Sequence, residues 1–366
     1  MIMFDRRILG NIDWSFLLLL VVFSFIGLLN LYSASYQTDI NIFKKQLIWI
    51  VLGLFITFLV SFIDYKLIKR YSLRIYVISI ISLLLVLFYG REVSGSKSWI
   101  SIGSFFTMQP SEFTKIAIIL VIARFYEDDF QQGTYGFFNL IKPLSLILLA
   151  LILVMLQPDL GTSLIIILIS ATLFLFMGMK WRSVFFIIIV LGALSYPTWQ
   201  YYLKDYQKDR INTFIDPTRD PLGAGYNAIQ SKIAVGSGKF VGKGYRSGSQ
   251  THLRFIPAQQ TDFAYSVFAE EWGFLGSIFT LLIYFMIILW MLDTSGRAKD
   301  KFSMVVSLGV AAMFFWHFVI NVGMVIGLLP IAGVPLLLFS YGGSSVLTAF
   351  IGAGLVLGIR MRRFQF

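Results

Sequence analysis

The 366-residue chain has no cysteine, which excludes disulfides, thiolate nucleophiles and cysteine-built metal sites. Charge is scarce as well: 13% of residues are Asp, Glu, Lys or Arg, against roughly 25% in soluble domains. Only two histidines occur, and one of them, His317, lies in an apolar run beside Trp316 and Phe318, which argues against a histidine metal pair. What is abundant is apolar surface: 57% hydrophobic residues, 36 of them Phe, and a mean hydropathy of +0.79. That composition excludes a disordered chain, a soluble globular enzyme and, despite a pI near 9.7, a nucleic-acid binder. It describes an all-α polytopic membrane protein.

A spanning helix needs about 20 mostly apolar residues, with roughly 17 as a lower bound. Ten such runs occur, near 14–32, 46–63, 74–89, 112–126, 142–157, 160–179, 183–199, 265–292, 303–329 and 344–360. The first exceeds the ~7–15 residues of a signal-peptide core and reads as a retained helix. With ten spans and both termini cytoplasmic, 16 of the Lys and Arg residues fall on the inner side and four in short outer loops. The excess of basic residues on the cytoplasmic side sets this orientation. The chain then forms a single integral membrane domain, residues 1–366.

One long polar segment, 200–264, separates the seventh and eighth runs and lies outside the cell in this orientation. Structureless loops of that length are uncommon and usually functional. It carries nine basic residues against five acids, net +4, which suits an anionic ligand. Asp216-Pro217 and Asp220-Pro221 signal turns, and Tyr226, Ile229 and Ile233 are spaced as on one face of a short amphipathic helix.

Four further polar clusters interrupt the apolar pattern: 108–115, 157–162, 261–271 and 340–345. The orientation set by Lys and Arg alone places all four on the outer side. Ionisable groups at membrane depth are costly and by default mark function. Glu112 and Lys115, three apart on a helix, either neutralise each other at a helix end or present a cation to an anionic substrate. Asp159 either caps the sixth span or shapes a site. Asp262 either caps the following helix or, among Phe255, Ile256, Phe263 and Tyr265, acts as a desolvated general base. Glu270 falls about 80° around the same helix from it, near the same side, while Glu271 points away. Gly342-Gly343 allows positive φ and close packing. The acids could also hold a hard divalent cation through oxygen ligands, though no cofactor is certain.

Gln109-to-Lys115, Gln157-to-Gly161, Tyr226-to-Ser231, Gly242-Lys-Gly244, Gly248-to-Phe255, Thr261-Asp-Phe263, Ala269-Glu-Glu271 and Gly333-to-Ser345 together resemble the SEDS family (shape, elongation, division and sporulation) over almost the whole chain. The Gly248-to-Phe255 stretch is more similar to the family's elongation member than to its division member. The resemblance implies about ten transmembrane helices, a large extracellular loop between helices 7 and 8, and a place in the bacterial cytoplasmic membrane. It implies a peptidoglycan glycosyltransferase that polymerises lipid II into glycan strands, with a class B penicillin-binding protein as partner. It further implies that Asp262 is the essential loop aspartate, that Glu112 and Lys115 are the family's helical pair, and that Asp159 and Arg210 bind substrate. Two departures stand out: Ala258 and Gln260 replace a Glu and a His common before Thr-Asp-Phe, and Leu337 replaces a Pro.

The residues suit the chemistry. Sugar transfer needs a base for the incoming hydroxyl, worth about 10²–10⁴-fold, and positive charge on the departing diphosphate. A lipid II flippase would show a midplane site and an internal repeat, and no repeat is visible. A non-catalytic scaffold would leave the polar clusters without a task.

Overall fold

The computed structural model describes residues 10–36, 39–93, 96–102, 106–128, 134–136, 138–202, 205–216, 223–253, 255–256 and 258–363. Helices α1 (Trp14–Ser35), α2 (Ile40–Phe62) and α3 (Tyr65–Tyr89) lead into a small antiparallel sheet, β1 (Arg91–Val93), β2 (Ser96–Ile102) and β3 (Phe106–Met108). Then come α4 (Pro110–Asp128), α5 (Ile141–Leu156), α6 (Leu160–Phe176) and α7 (Trp181–Pro197). The polar segment holds α8 (Asp205–Ile215), α9 (Ala224–Ser237) and the single turn α10 (Ser249–His252). The chain closes with α11 (Ala264–Gly296), α12 (Lys301–Val325) and α13 (Gly343–Met361).

Helices cover all ten apolar runs, and seven among the described residues are long and apolar enough to cross a membrane. The sheet between α3 and α4 is a difference from the sequence reading, which had only a short loop there. Aspartates set several helix starts: Asp13, Asp39, Asp64, Asp159 and Asp300 each accept a bond from a backbone N–H of the first turn. Those N–H groups have no partner within the helix, so a capping carboxylate satisfies them. Much of the sparse acid content is thereby structural.

α4, α12 and α13 are the most buried helices, and α1, α2, α3, α6 and α11 pack around them. Outward-facing apolar residues such as Ile78 and Phe88 remain exposed, as a lipid-facing surface requires. Close packing of α2 on α13 depends on small residues: a Cβ on Gly343 would lie 2.5 Å from Trp49. Gly342, by contrast, is extended at φ 166°, so this pair serves packing and not positive φ.

α11 is broken at Gly273, where φ is 63° and a Cβ would meet the Gly242 nitrogen at 2.3 Å. The break frees backbone groups that a membrane-embedded helix must satisfy internally. Residues 239–244 supply the partners: Lys243 and Gly244 N–H donate to the carbonyls of Glu270 and Glu271. Phe274 and Leu275 N–H donate to the carbonyls of Lys239 and Phe240. The polar segment is therefore stitched into the helix bundle.

α9 forms where the 226–233 spacing predicts a helix, but the expected packing face is reversed. Ile229 and Ile233 are exposed, while Ser231 and Ala234 are buried. Ser231 bonds the Ser266 hydroxyl and donates to the Val325 carbonyl, tying α9 to α11 and α12. Small residues allow that close approach. The turn signals at Pro217 and Asp220-Pro221 lie outside the described residues.

Candidate functional site

The four polar clusters meet at one cavity of about 290 Å³, lined among others by Glu112, Lys115, Asp159, Asp262, His317 and Tyr341. They also bond directly to one another. Gln109 donates to Asp159 at 2.7 Å through its side chain and to the Ser344 hydroxyl at 2.9 Å through its backbone. Tyr341 N–H donates to the Gln260 carbonyl. Trp99 and Ser96 of β2 complete the wall, so the unforeseen sheet is part of the site.

Proline at the first position of α4 and Glu112 in its first turn start that helix and set its polar side chains on the cavity wall. Lys115 Nζ lies 2.9 Å from both Glu112 oxygens and 2.8 Å from His317 Nε2. His317 Nδ1 lies 2.9 Å from the Pro335 carbonyl. The pair therefore neutralises itself and faces the cavity at once; the two sequence readings are compatible.

Asp159 is both a helix cap and part of the cavity wall. It caps α6 through Thr162 N–H, and it accepts from Thr162 Oγ1, Gln109 and Ser111 while lining the cavity. The N-cap position of α11 is Phe263 and not Asp262, and it makes no side-chain cap bond. The Asp262 backbone carbonyl is held by Asn321 Nδ2, which also donates to the Val334 carbonyl. The phenol of Tyr341, also on the cavity wall, is pushed above the ordinary tyrosine range by burial and by nearby Asp39.

Glu270 does not join this cavity, against the helical-angle expectation. Its fully buried carboxylate accepts from Lys243 Nζ at 2.7 Å, Gln250 N–H at 3.0 Å, and Thr251 N–H and Oγ1. The helix turns it toward α10, so it anchors the polar segment. Glu271, one residue on, accepts from Ser33 of α1. Arg210 sits on α8, but its side chain falls outside the described residues.

The electropositive site inferred from the net +4 segment is also not what the described cavity presents. Among the described residues its acidic and basic side chains are three carboxylates, one ammonium (Lys115) and the His317 imidazole. Lys243 is drawn to Glu270, and Arg246 stacks on Tyr36 at 3.7 Å. Among the described residues no group of three His, Asp or Glu side chains is placed to hold a metal ion. Glu112 is engaged by Lys115 and Asp159 by four donors, so this donor set does not fit a resident cation.

Asn321 is a buried polar residue beside the site that the sequence reading missed, and His317 was read only as a poor metal ligand. They lie four apart on one face of α12 and both grip residues 334–335. An amide and an imidazole inside an apolar span were the available signal.

A helical bundle with a buried ion pair and three carboxylates around one cavity defines a multi-pass membrane protein with an internal polar site. Sequence comparison then assigns it: the profile of the FtsW/RodA/SpoVE cell-cycle protein family matches residues 13–365, and the chain belongs to that family. The peptidoglycan glycosyltransferase MrdB of Escherichia coli K12 is 36% identical over 96% of this chain and 94% of its own. The peptidoglycan glycosyltransferase RodA of Treponema pallidum is 33% identical over 98% of this chain and 100% of its own. A solved chain of a peptidoglycan synthase complex that coordinates polymerization and crosslinking superposes with a TM-score of 0.83. It is 29% identical and covers 97% of this chain and 99% of that one. The rod shape determining protein RodA of Thermus thermophilus superposes at 0.73 with 26% identity, covering 97% of this chain and 98% of that one.

Proposed function

We propose that this protein is a peptidoglycan glycosyltransferase of the bacterial cytoplasmic membrane, polymerising lipid II into glycan strands during cell elongation. The observation that carries this reading is the convergence of Asp262, Glu112–Lys115 and Asp159 on one cavity. All ten helical runs cross the bilayer, both termini face the cytoplasm, and the cavity opens on the outer side. Residues 200–264 form an extracellular segment of the single 1–366 domain.

In the reaction, the Asp262 carboxylate takes the proton of the acceptor sugar's 4-hydroxyl. The resulting oxygen nucleophile forms a bond to the anomeric carbon of the donor as the bond from that carbon to the diphosphate oxygen breaks. The electron pair leaves with the diphosphate, and the anomeric centre inverts. Lys115 supplies positive charge where the leaving group develops negative charge. Asp159 shapes the opposite wall, and Arg210 assists at the diphosphate. Glu270 contributes by anchoring the segment that leads to Asp262. Among the described residues α7 makes only sparse contact with the other helices, which supports a lateral path for the lipid tail into the cavity. A single-pass class B penicillin-binding protein receives the strands for cross-linking; the remaining surroundings are membrane lipids, with no nucleic acid.

The test is polymerisation of lipid II by the purified chain with that partner in nanodiscs. Glycan strands from the wild type and none from Asp262→Asn are expected. Absence of strands from the wild type, or full activity in D262N, rejects the proposal.

A further inference from the structure

A lysine ammonium has three N–H bonds to donate, and Lys115 directs them to three acceptors, Glu112 Oε1, Glu112 Oε2 and His317 Nε2. The Pro335 carbonyl can only accept, so the proton of His317 is on Nδ1 and the Nε2 lone pair faces the ammonium. His317 is 1% exposed and held at both ring nitrogens, yet it and Lys115 line the reaction cavity. A phosphate oxygen that engages Lys115 must therefore replace one of three existing acceptors.

We propose that His317 is a positioning residue that aims the Lys115 ammonium at the cavity and is the acceptor displaced by a phosphate of the lipid-linked donor. This deepens the glycosyltransferase reading and rests on it. The order of displacement follows from charge. Bonds to an ionised carboxylate are roughly twice as strong as bonds to a neutral group, so the neutral imidazole yields before Glu112. Two consequences follow from the same contacts. Without an acceptor at Nε2, the ammonium is held by Glu112 alone and loses its aim across the cavity. Through Nδ1–H the ring also ties that aim to Pro335, so the wall formed by residues 332–335 and the cation are set together. Asp159 and Asp262 also face the cavity, but the three N–H bonds of Lys115 are directed to Glu112 and His317.

Lipid II polymerisation by the chain–partner complex in nanodiscs tests this with His317→Leu and His317→Gln, each checked by thermal unfolding. Glutamine places an oxygen acceptor near the Nε2 position; leucine places none. Lys115 meets the donor phosphate before reaction and stabilises it as it leaves, so H317L is expected to raise KM for lipid II about tenfold and to lower kcat as well. H317Q is expected to keep KM within about threefold of the wild type. Should H317L fail to purify, His317→Met, which also lacks a strong acceptor, takes its place. An unchanged KM in H317L, or equal impairment in both variants tracking lost thermal stability, overturns the proposal. Wild-type complex that makes no strands would instead reject the transferase reading itself.

Discussion

The side-chain amide of Asn321 donates to the backbone carbonyl of Asp262 at 2.9 Å, fixing the end of the polar segment to the C-terminal turns of α12. The same nitrogen donates to Val334 at 2.7 Å. One buried amide thus sets the spacing between the aspartate's backbone and the 332–335 wall. Asn321→Leu is expected to leave both carbonyls unsatisfied at a cost of about 1–3 kcal/mol each. Strand synthesis should fall at least about tenfold, since misplacement of a reacting group by about 1 Å can cost 10²-fold. Polymerisation rate and thermal unfolding, measured together, check this; activity equal to wild type would separate Asn321 from Asp262.

The buried Glu112–Lys115 pair separates stability from function. Removing one partner of such a pair leaves an uncompensated charge and costs about 3–5 kcal/mol. Lys115→Met alone should therefore lower the unfolding temperature sharply. The double variant Glu112→Gln/Lys115→Met should recover much of that stability and still make no glycan strands. A double variant that polymerises would reduce the pair to a structural role.

Glu270→Gln tests the anchor role. The charge that draws Lys243, Gln250 and Thr251 is removed while the shape is kept. Hydrogen bonds to a charged group are worth about 1.5–3 kcal/mol each, so the 243–253 stretch should become cleavable by limited proteolysis before the bundle unfolds. Unchanged protection would place the anchoring elsewhere.

Gly273→Ala tests the helix break. A methyl group there meets the Gly242 nitrogen at 2.3 Å in a left-handed backbone conformation. Overpacking of this kind costs about 1–3 kcal/mol before the φ strain is added. The variant should show a lowered unfolding temperature and faster hydrogen exchange at 239–244. Wild-type exchange would mean that the stitching does not depend on this glycine.

The helices were legible because lipid imposes a simple demand: apolar runs of sufficient length, with their backbone bonds closed internally. Glu112, Lys115, Asp159 and Asp262 were legible for the complementary reason, as ionisable groups where charge is expensive. Glu270 was misplaced because a helical wheel supplies an angle but not what packs outside the helix. Its neighbours came from residues 243–251, about 20 residues upstream. Asn321 gave too weak a signal alone, since a single amide in an apolar span has many ordinary uses.

Composition and hydropathy by themselves determined an all-helical membrane protein, and the motifs singled out most of the ionisable residues that line the cavity. Only the tertiary structure decided that four clusters, separated by up to more than 200 positions, share one cavity. It alone decided that the segment's surplus positive charge lies mostly away from that cavity among the described residues, and that His317 faces Lys115. The physical reason is range. Hydrophobic periodicity and capping act within a turn or two of the chain. Carboxylates, amides and ammonium groups buried in a low-dielectric bundle must find partners wherever the packing of α4, α6, α11 and α12 brings them.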